Sequence, residues 1–204
     1  MKAKQEYLRH QVHHMQIIKL TTSEIDYLKS EHKSLTYNRI KNIIEGTLSF
    51  NLKFSDEKAI EDKYQVEIEL NEVSDLGLPI VRETDGRILK IAQEKGLFFG
   101  DLHINNAEGE LCIILPPKVK EKYPNGFELN TLIEHIQEHL YWVSYFEKYN
   151  KKPWKEYGHG ELGYLELYIE NKKLYASDVK KYFGCKSRPE FRRKIKELRE
   201  KYKI

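Results

Sequence analysis

Cysteine is scarce in this chain of 204 residues, which holds only Cys112 and Cys185. They lie far apart in a sequence without an export signal, so no disulfide framework is expected and a reduced, potentially nucleophilic thiol is allowed. Metal-ligand spacing is missing too. His103, Cys112, His159 and Cys185 are too scattered for a zinc set, and the adjacent His13 and His14 would point about 100° apart on a helix. His135 and His139 are spaced i, i+4 but have no evident third ligand, so they read as a helix flank. No run approaches the roughly 20 apolar residues that cross a bilayer, and the start of the chain carries charges and histidines instead of a leader's apolar stretch. A cytoplasmic protein without a membrane partner is expected. No phosphate-cradling glycine loop is present, which excludes adenylation of a carboxyl terminus by the chain itself. Nor is there a large excess of one charge: 35 Lys and Arg against 32 Asp and Glu leave +3, which neither demands nor excludes nucleic acid.

What is present is globular composition, 40% hydrophobic and 33% charged, at a length that suits one core with an appendage. Leu8, Val12, Met15 and Ile18 recur at helical steps from Gln5 to about Lys19. Ser23 with Asp26 reads as the cap of a second helix with the stripe Ile25, Leu28, His32 and Leu35. After Gly46 the period changes to two. Leu48, Phe50, Leu52 and Phe54 mark one half-buried strand, and Tyr64, Val66, Ile68 and Leu70 a second. Residues 78–84 make a third, closed by the turn Asp85-Gly86. Residues 87–100 read as an insertion, with Leu97, Phe98 and Phe99 packing under the loop that follows. Pro116-Pro117 leads the chain off the sheet, and a strong amphipathic helix runs from Asn130 to Lys148. The aromatic residues Tyr141, Trp142, Tyr145 and Trp154 read as core. The fold class is therefore α+β, an antiparallel meander flanked by N- and C-terminal helices, over residues 1–170.

Residues 171–204 form a basic helical tail. Ser177-Asp178 caps a short helix ending at Gly184, and Ser187 with Glu190, Pro189 between them, opens a last helix with the stripe Phe191, Ile195, Leu198 and Tyr202. Its cations are interspersed with Glu190, Glu197 and Glu200, which favours a solvated helix packed on the domain, or a docking face for an acidic partner, over a nucleic-acid hairpin.

The chemistry concentrates between His103 and Cys112. An Asn two residues after a His, then Gly109, then a lone Cys before Ile113-Ile114-Leu115 can hold a thiol beside an amide that stabilises an oxyanion. By residue type alone Cys112 would be core; the joint pattern points to a site. A papain-like hydrolase would set its Cys at a helix N-terminus with a His base opposite, whereas Cys112 precedes an aliphatic run and two prolines. Hydrolysis is therefore the weaker enzymatic reading. The cluster Tyr157-Gly158-His159-Gly160-Glu161-Leu162-Gly163 either brings an imidazole to a substrate or is a structural turn.

The block from His103 to Cys112 resembles the His-Pro-Asn to catalytic-Cys segment of ubiquitin-conjugating enzymes, and Leu78-Pro79-Ile80-Val81 resembles the Pro-x-Val start of their third strand. Ile104 stands where that family has Pro, and Cys112 comes one residue sooner, so the loop must close differently. The resemblance covers roughly Gly46 to Gly163 and leaves the tail unexplained. It points to bacterial ubiquitin-conjugating-like enzymes of antiphage operons, including cyclic-oligonucleotide-based signalling systems. It implies a ubiquitin-conjugating-enzyme-like fold and a thioester on Cys112 formed with a protein's C-terminal glycine and passed to an amine. Asn105 would be the oxyanion donor and His103 a loop-fixing residue, and His159, in a His-Gly segment similar to those that follow the active cysteine in bacterial relatives, would be a further catalytic residue. The implied partners are a donor protein with a C-terminal glycine, either a ubiquitin-like protein or the signal-making nucleotidyltransferase, a separate activating enzyme, and an acceptor amine. No cofactor or metal is implied. The rival is an inert variant that keeps the fold as a scaffold for a partner.

Overall fold

The period-two segments form a four-stranded antiparallel sheet in the computed structural model, which describes residues 17–73 and 77–204. Strands β1 (Leu35–Asn38), β2 (Ile43–Leu52), β3 (Ile60–Val73) and β4 (Pro79–Glu83) neighbour one another in chain order, a meander. β2 and β3 pair from Ile43 opposite Glu69 to Leu52 opposite Ile60. Tyr64, Val66, Ile68 and Leu70 turn into the core. Glu67 and Glu69 take the other face, where Arg82 of β4 pairs with them at 3.3 and 2.8 Å. This is the alternation of a sheet with one buried side.

Two corrections fall at its start. Leu35 belongs to β1 and not to a helical stripe, and β2 begins at Ile43, ahead of Gly46. The hairpin between them needs no glycine. Asn38 Oδ1 accepts from the N–H groups of Ile40 and Lys41 at 3.1 Å each, and Asn42 adopts a left-handed φ of 54°. Helix α1 (Thr22–Glu31) is capped by Thr21, whose Oγ1 accepts from Glu24 N–H while the Glu24 carboxylate accepts from Thr21 N–H; Ser23 lies within the first turn. Most of the helix expected from Gln5, with His13 and His14, lies outside the described residues. Ile18, near its expected end, is not helical: its N–H donates to Leu70 O at 3.0 Å.

Residues 87–100 are not a loose insertion. They form helix α2 (Arg87–Glu94), and a 3-10 turn follows at Phe99–Leu102. Glu83, only 2% exposed, accepts from the N–H groups of Asp85 and Ile88 and so caps α2 from the sheet. Ile88, Ile91 and Ala92 enter the core. Leu97 and Phe99 pack against that core, whereas Phe98, expected to pack with them, is 65% exposed. Arg87 grips Asp62 of β3 through paired 2.8 Å hydrogen bonds and Glu147 at 2.6 Å. Ser144 donates to the same Asp62, and Tyr64 hydroxyl bonds Ser144, each at 2.8 Å.

A 3-10 turn at Pro116–Lys118 and the short helix α3 (Val119–Lys122) carry the chain from the sheet to α4 (Leu129–Tyr149), which lies across β2 and β3. Tyr141, Trp142 and Tyr145 are buried and Trp154 stacks on Tyr141, so the aromatic set is core as expected. Helices α5 (Glu161–Glu170), α6 (Lys172–Tyr182) and α7 (Arg188–Tyr202) gather a second apolar cluster from Tyr164, Leu165, Tyr175, Val179, Phe191, Ile195 and Leu198. The boundary expected at 170/171 falls between α5 and α6, which share that cluster. Ser187 and Glu190 form the expected capping box, but α6 starts at an Asn171 cap and not at Ser177. Lys194 and Lys201 of α7 pair with Glu161 at 2.7 and 3.0 Å, which holds the basic helix on α5. Among the described residues no helix is long and apolar enough to cross a membrane.

Candidate active site

Gly109 is where the loop from His103 to Cys112 is folded. It has a φ of +80°, and a Cβ there would lie 2.2 Å from Glu83 O, a separation no side chain tolerates. The close approach lets Gly109 O accept from Glu83 N–H at 2.9 Å and Leu111 N–H donate to Val81 O at 2.8 Å, extending the sheet past β4 by one short segment. Asn106 Oδ1 accepts from the N–H groups of Glu108 and Glu110 and shapes the turn between. Ile104 bridges Leu111, and Cys112 N–H donates to His103 O at 2.7 Å. The loop thus closes on itself with His103 and Cys112 face to face. Both cysteines are free; Cys112 is half-buried and Cys185 buried in the second cluster.

The His103 side chain does more than fix the loop. Its ring is close enough to the Cys112 thiol for the two to interact, and its Nε2 lies 2.7 Å from Glu156 Oε2. Burial works against charge on the ring, but Cys112 and Glu156 outweigh it and push the His103 pKa up to about 9. Glu156 Oε2 is buried and makes no hydrogen bond among the described residues, so its contact with His103 is an ion pair by proximity, without hydrogen-bond alignment. The ring meets Trp142 edge-on at 5.3 Å and lies 4.9 Å from the ring of His159.

Around this imidazolium the other histidines stay neutral. Burial, then the charge of His103, lowers the His159 pKa. Burial also pushes His139 down to about 3, helped by His103 and His135, and its Nε2 is unpartnered among the described residues. His135 is pushed to about 4 by burial, then by Lys122, and its Nδ1 lies 3.0 Å from Tyr123 hydroxyl. The expected flank pair therefore lines a cavity, with Tyr123 against His135 and His103 against His139. His103, His135, His139 and His159 line one cavity of about 490 Å³ together with Cys112, Trp154 and Glu156.

A second cavity of about 230 Å³ opens on the other side of the thiol, between the start of β4 and residues 111–114. Asn105 lines it, across Cys112 from the histidines. Its Nδ2 donates to Glu110 Oε1 at 2.8 Å, and Asn106 holds the other Glu110 oxygen at 3.0 Å. Of the four residues singled out in the sequence, His103 and His159 share the first cavity with Cys112, and Asn105 shares the second. Among the described residues no group of three or more His, Cys, Asp or Glu is disposed to hold a metal.

Glu156 is the residue that sequence reasoning missed. The signal available was a carboxylate three positions ahead of His159 in the glycine-rich stretch. That stretch is pressed onto α5: Gly158 N–H donates to Glu166 at 2.7 Å, and a Cβ on Gly163 would lie 2.0 Å from Gly158 O. A thiol with an imidazole and a carboxylate near it is an arrangement suited to covalent acyl chemistry, and the half-buried Cys112 lines both cavities. No family model, no curated protein and no solved structure matches this chain.

Proposed function

We propose that this chain is a cysteine acyltransferase in which Cys112 accepts an acyl group as a thioester and passes it to an amine. The observation that carries the reading is the Cys112 thiol set against the His103 ring, with Glu156 behind it, at the meeting of two cavities. A thioester exchange needs an accessible thiol and a donor for the oxyanion. The Asn105 amide carries two N–H donors, of which the Glu110 bond uses one, so one is left for a carbonyl oxygen in the second cavity. Neutral His159, beside His103, is placed to receive the proton that an attacking amine must lose.

Helix, four-strand meander, the loop with Cys112 and the long helix come in the order that the sequence resemblance implies, with helix α2 interposed between the meander and that loop. On that reading the chain is a cytoplasmic enzyme of antiphage defence. Its donor is a protein with a C-terminal glycine, activated elsewhere, and the nucleotidyltransferase of a signalling operon is the leading candidate. The rival reading, an inert scaffold, draws on the Asn105 amide being tied to Glu110. The test is intact mass, without reductant, of protein co-expressed with its operon neighbours. A protein-sized adduct removed by thiol and missing from Cys112→Ala supports the enzyme; an unmodified chain with every neighbour supports the scaffold.

A further inference from the structure

We infer that the Cys112 site also cleaves amide bonds, acting as a hydrolase on substrates with an apolar acyl residue whose leaving amine sits in the histidine-lined cavity. The inference rests on Cys112 being the nucleophile of the acyl-transfer reading. It goes beyond that reading because exchange between thioesters asks for no acid: the departing thiolate is stable by itself. An amine is not, and an amide breaks only when its nitrogen is protonated as the C–N bond parts. His103 and Glu156 supply what that step needs. The protonated ring lies beside the Cys112 sulfur, and the carboxylate 2.7 Å from its Nε2 favours the charge on the ring.

The atoms balance with water as the only co-reactant. Cys112 sulfur, as thiolate, adds to the amide carbon, a C–S bond forms, and the Asn105 amide holds the oxyanion. His103 gives its proton to the nitrogen, the C–N bond breaks, and a neutral amine leaves. Water then adds to the thioester while neutral His103 takes its proton. The C–S bond breaks, and the carboxylic acid departs from a restored thiolate and imidazolium. Glu156 touches no reacting atom and is a positioning residue.

The two cavities fix which half of the substrate goes where. His103 lines only the larger one, so the leaving amine must enter there to meet its proton. The acyl side is left with the smaller cavity, walled by Leu78, Val81, Leu111, Ile114 and Pro116 with Asn105 at the oxyanion. Its largely apolar walls and roughly 230 Å³ admit one aliphatic side chain, and the Glu110 carboxylate that also lines it adds to the bias against a second carboxylate.

The experiment uses the full chain and three probes: a peptidyl aminomethylcoumarin amide with leucine at the acyl position, its aspartate counterpart, and a thioester of the leucine peptide. Coumarin release from the leucine amide is expected, at least about tenfold faster than from the aspartate amide. It is expected to vanish in Cys112→Ala and to fall about 10²- to 10⁴-fold in His103→Gln. Glu156→Gln should move the alkaline limb of the rate profile to lower pH, which a merely structural role would not do. Acylation of Cys112 by the thioester without amide cleavage above the Cys112→Ala level would overturn hydrolysis and leave acyl transfer standing. Failure of both probes would overturn both, and equal cleavage of the two amides would overturn the assignment of the acyl cavity.

Discussion

His103 Nε2 and Glu156 Oε2 lie 2.7 Å apart, and the two residues come from loops on opposite sides of helix α4 in the chain. The pair ties the loop that carries Cys112 to the glycine-rich segment, so it bears on stability. The folded pKa of about 9 lies above the ordinary 6.5, which means that the folded state binds the proton more tightly. Its contribution is complete below about pH 6.5 and is lost as pH rises through about 9. Glu156→Gln should therefore lower unfolding free energy by on the order of 1–3 kcal/mol at pH 6 and by much less at pH 10. Urea denaturation at the two pH values measures this, and an equal loss at both would contradict it.

Asp62 works with the opposite sign. Burial favours its neutral form, but the hydrogen bonds from Arg87, Ser144 and the Lys63 N–H outweigh burial and hold the carboxyl below its usual range. Stability from this network is present above the ordinary carboxylate pKa and is lost as pH falls through the lowered one. Arg87→Ala should remove about 2–3 kcal/mol at pH 7, short of a fully buried pair because both side chains keep some solvent contact. Acid unfolding of the variant should begin at higher pH, as followed by circular dichroism.

Gly163 lies in the first turn of α5, where alanine would ordinarily favour the helix by up to about 1 kcal/mol. Here a Cβ would stand 2.0 Å from Gly158 O. Gly163→Ala is thus expected to destabilise by about 1–3 kcal/mol and to push the Glu156 segment away from His103. Thermal denaturation and the His103 titration by NMR report the two effects separately.

The cysteines differ in environment. Cys112 lines both cavities, whereas Cys185 is 9% exposed and its Sγ lies 3.7 Å from Phe183 O in the second apolar cluster. A small alkylating agent should modify the folded chain once, at Cys112, and reach Cys185 only in denaturant. Peptide mapping after a timed reaction distinguishes the sites.

Strands β2 and β3 were legible because each buries one face, which writes a period of two into the sequence; the Ser187 capping box was legible because its signal is local. β1 was not, since four residues carry little period and its turn uses Asn38 and Asn42 in place of glycine. Cys112, His103, Asn105 and His159 could be picked out by residue type and spacing. That Asn105 would stand on the other side of the sulfur from the imidazoles could not, because the side of a loop residue depends on how the loop closes on β4. Glu156 was hidden for a stronger reason. Its partner is distant in sequence, and only the packing of the glycine-rich stretch against α5 brings the two together.

The most direct measurement is the intact mass of the full chain after brief exposure to a synthetic peptide thioester at neutral pH, beside Cys112→Ala. One peptidyl adduct on the wild type, discharged by added amine and absent from Cys112→Ala, is the expected result. A wild type that stays unmodified while Cys112 still accepts a small alkylating agent would contradict acyl transfer at this site.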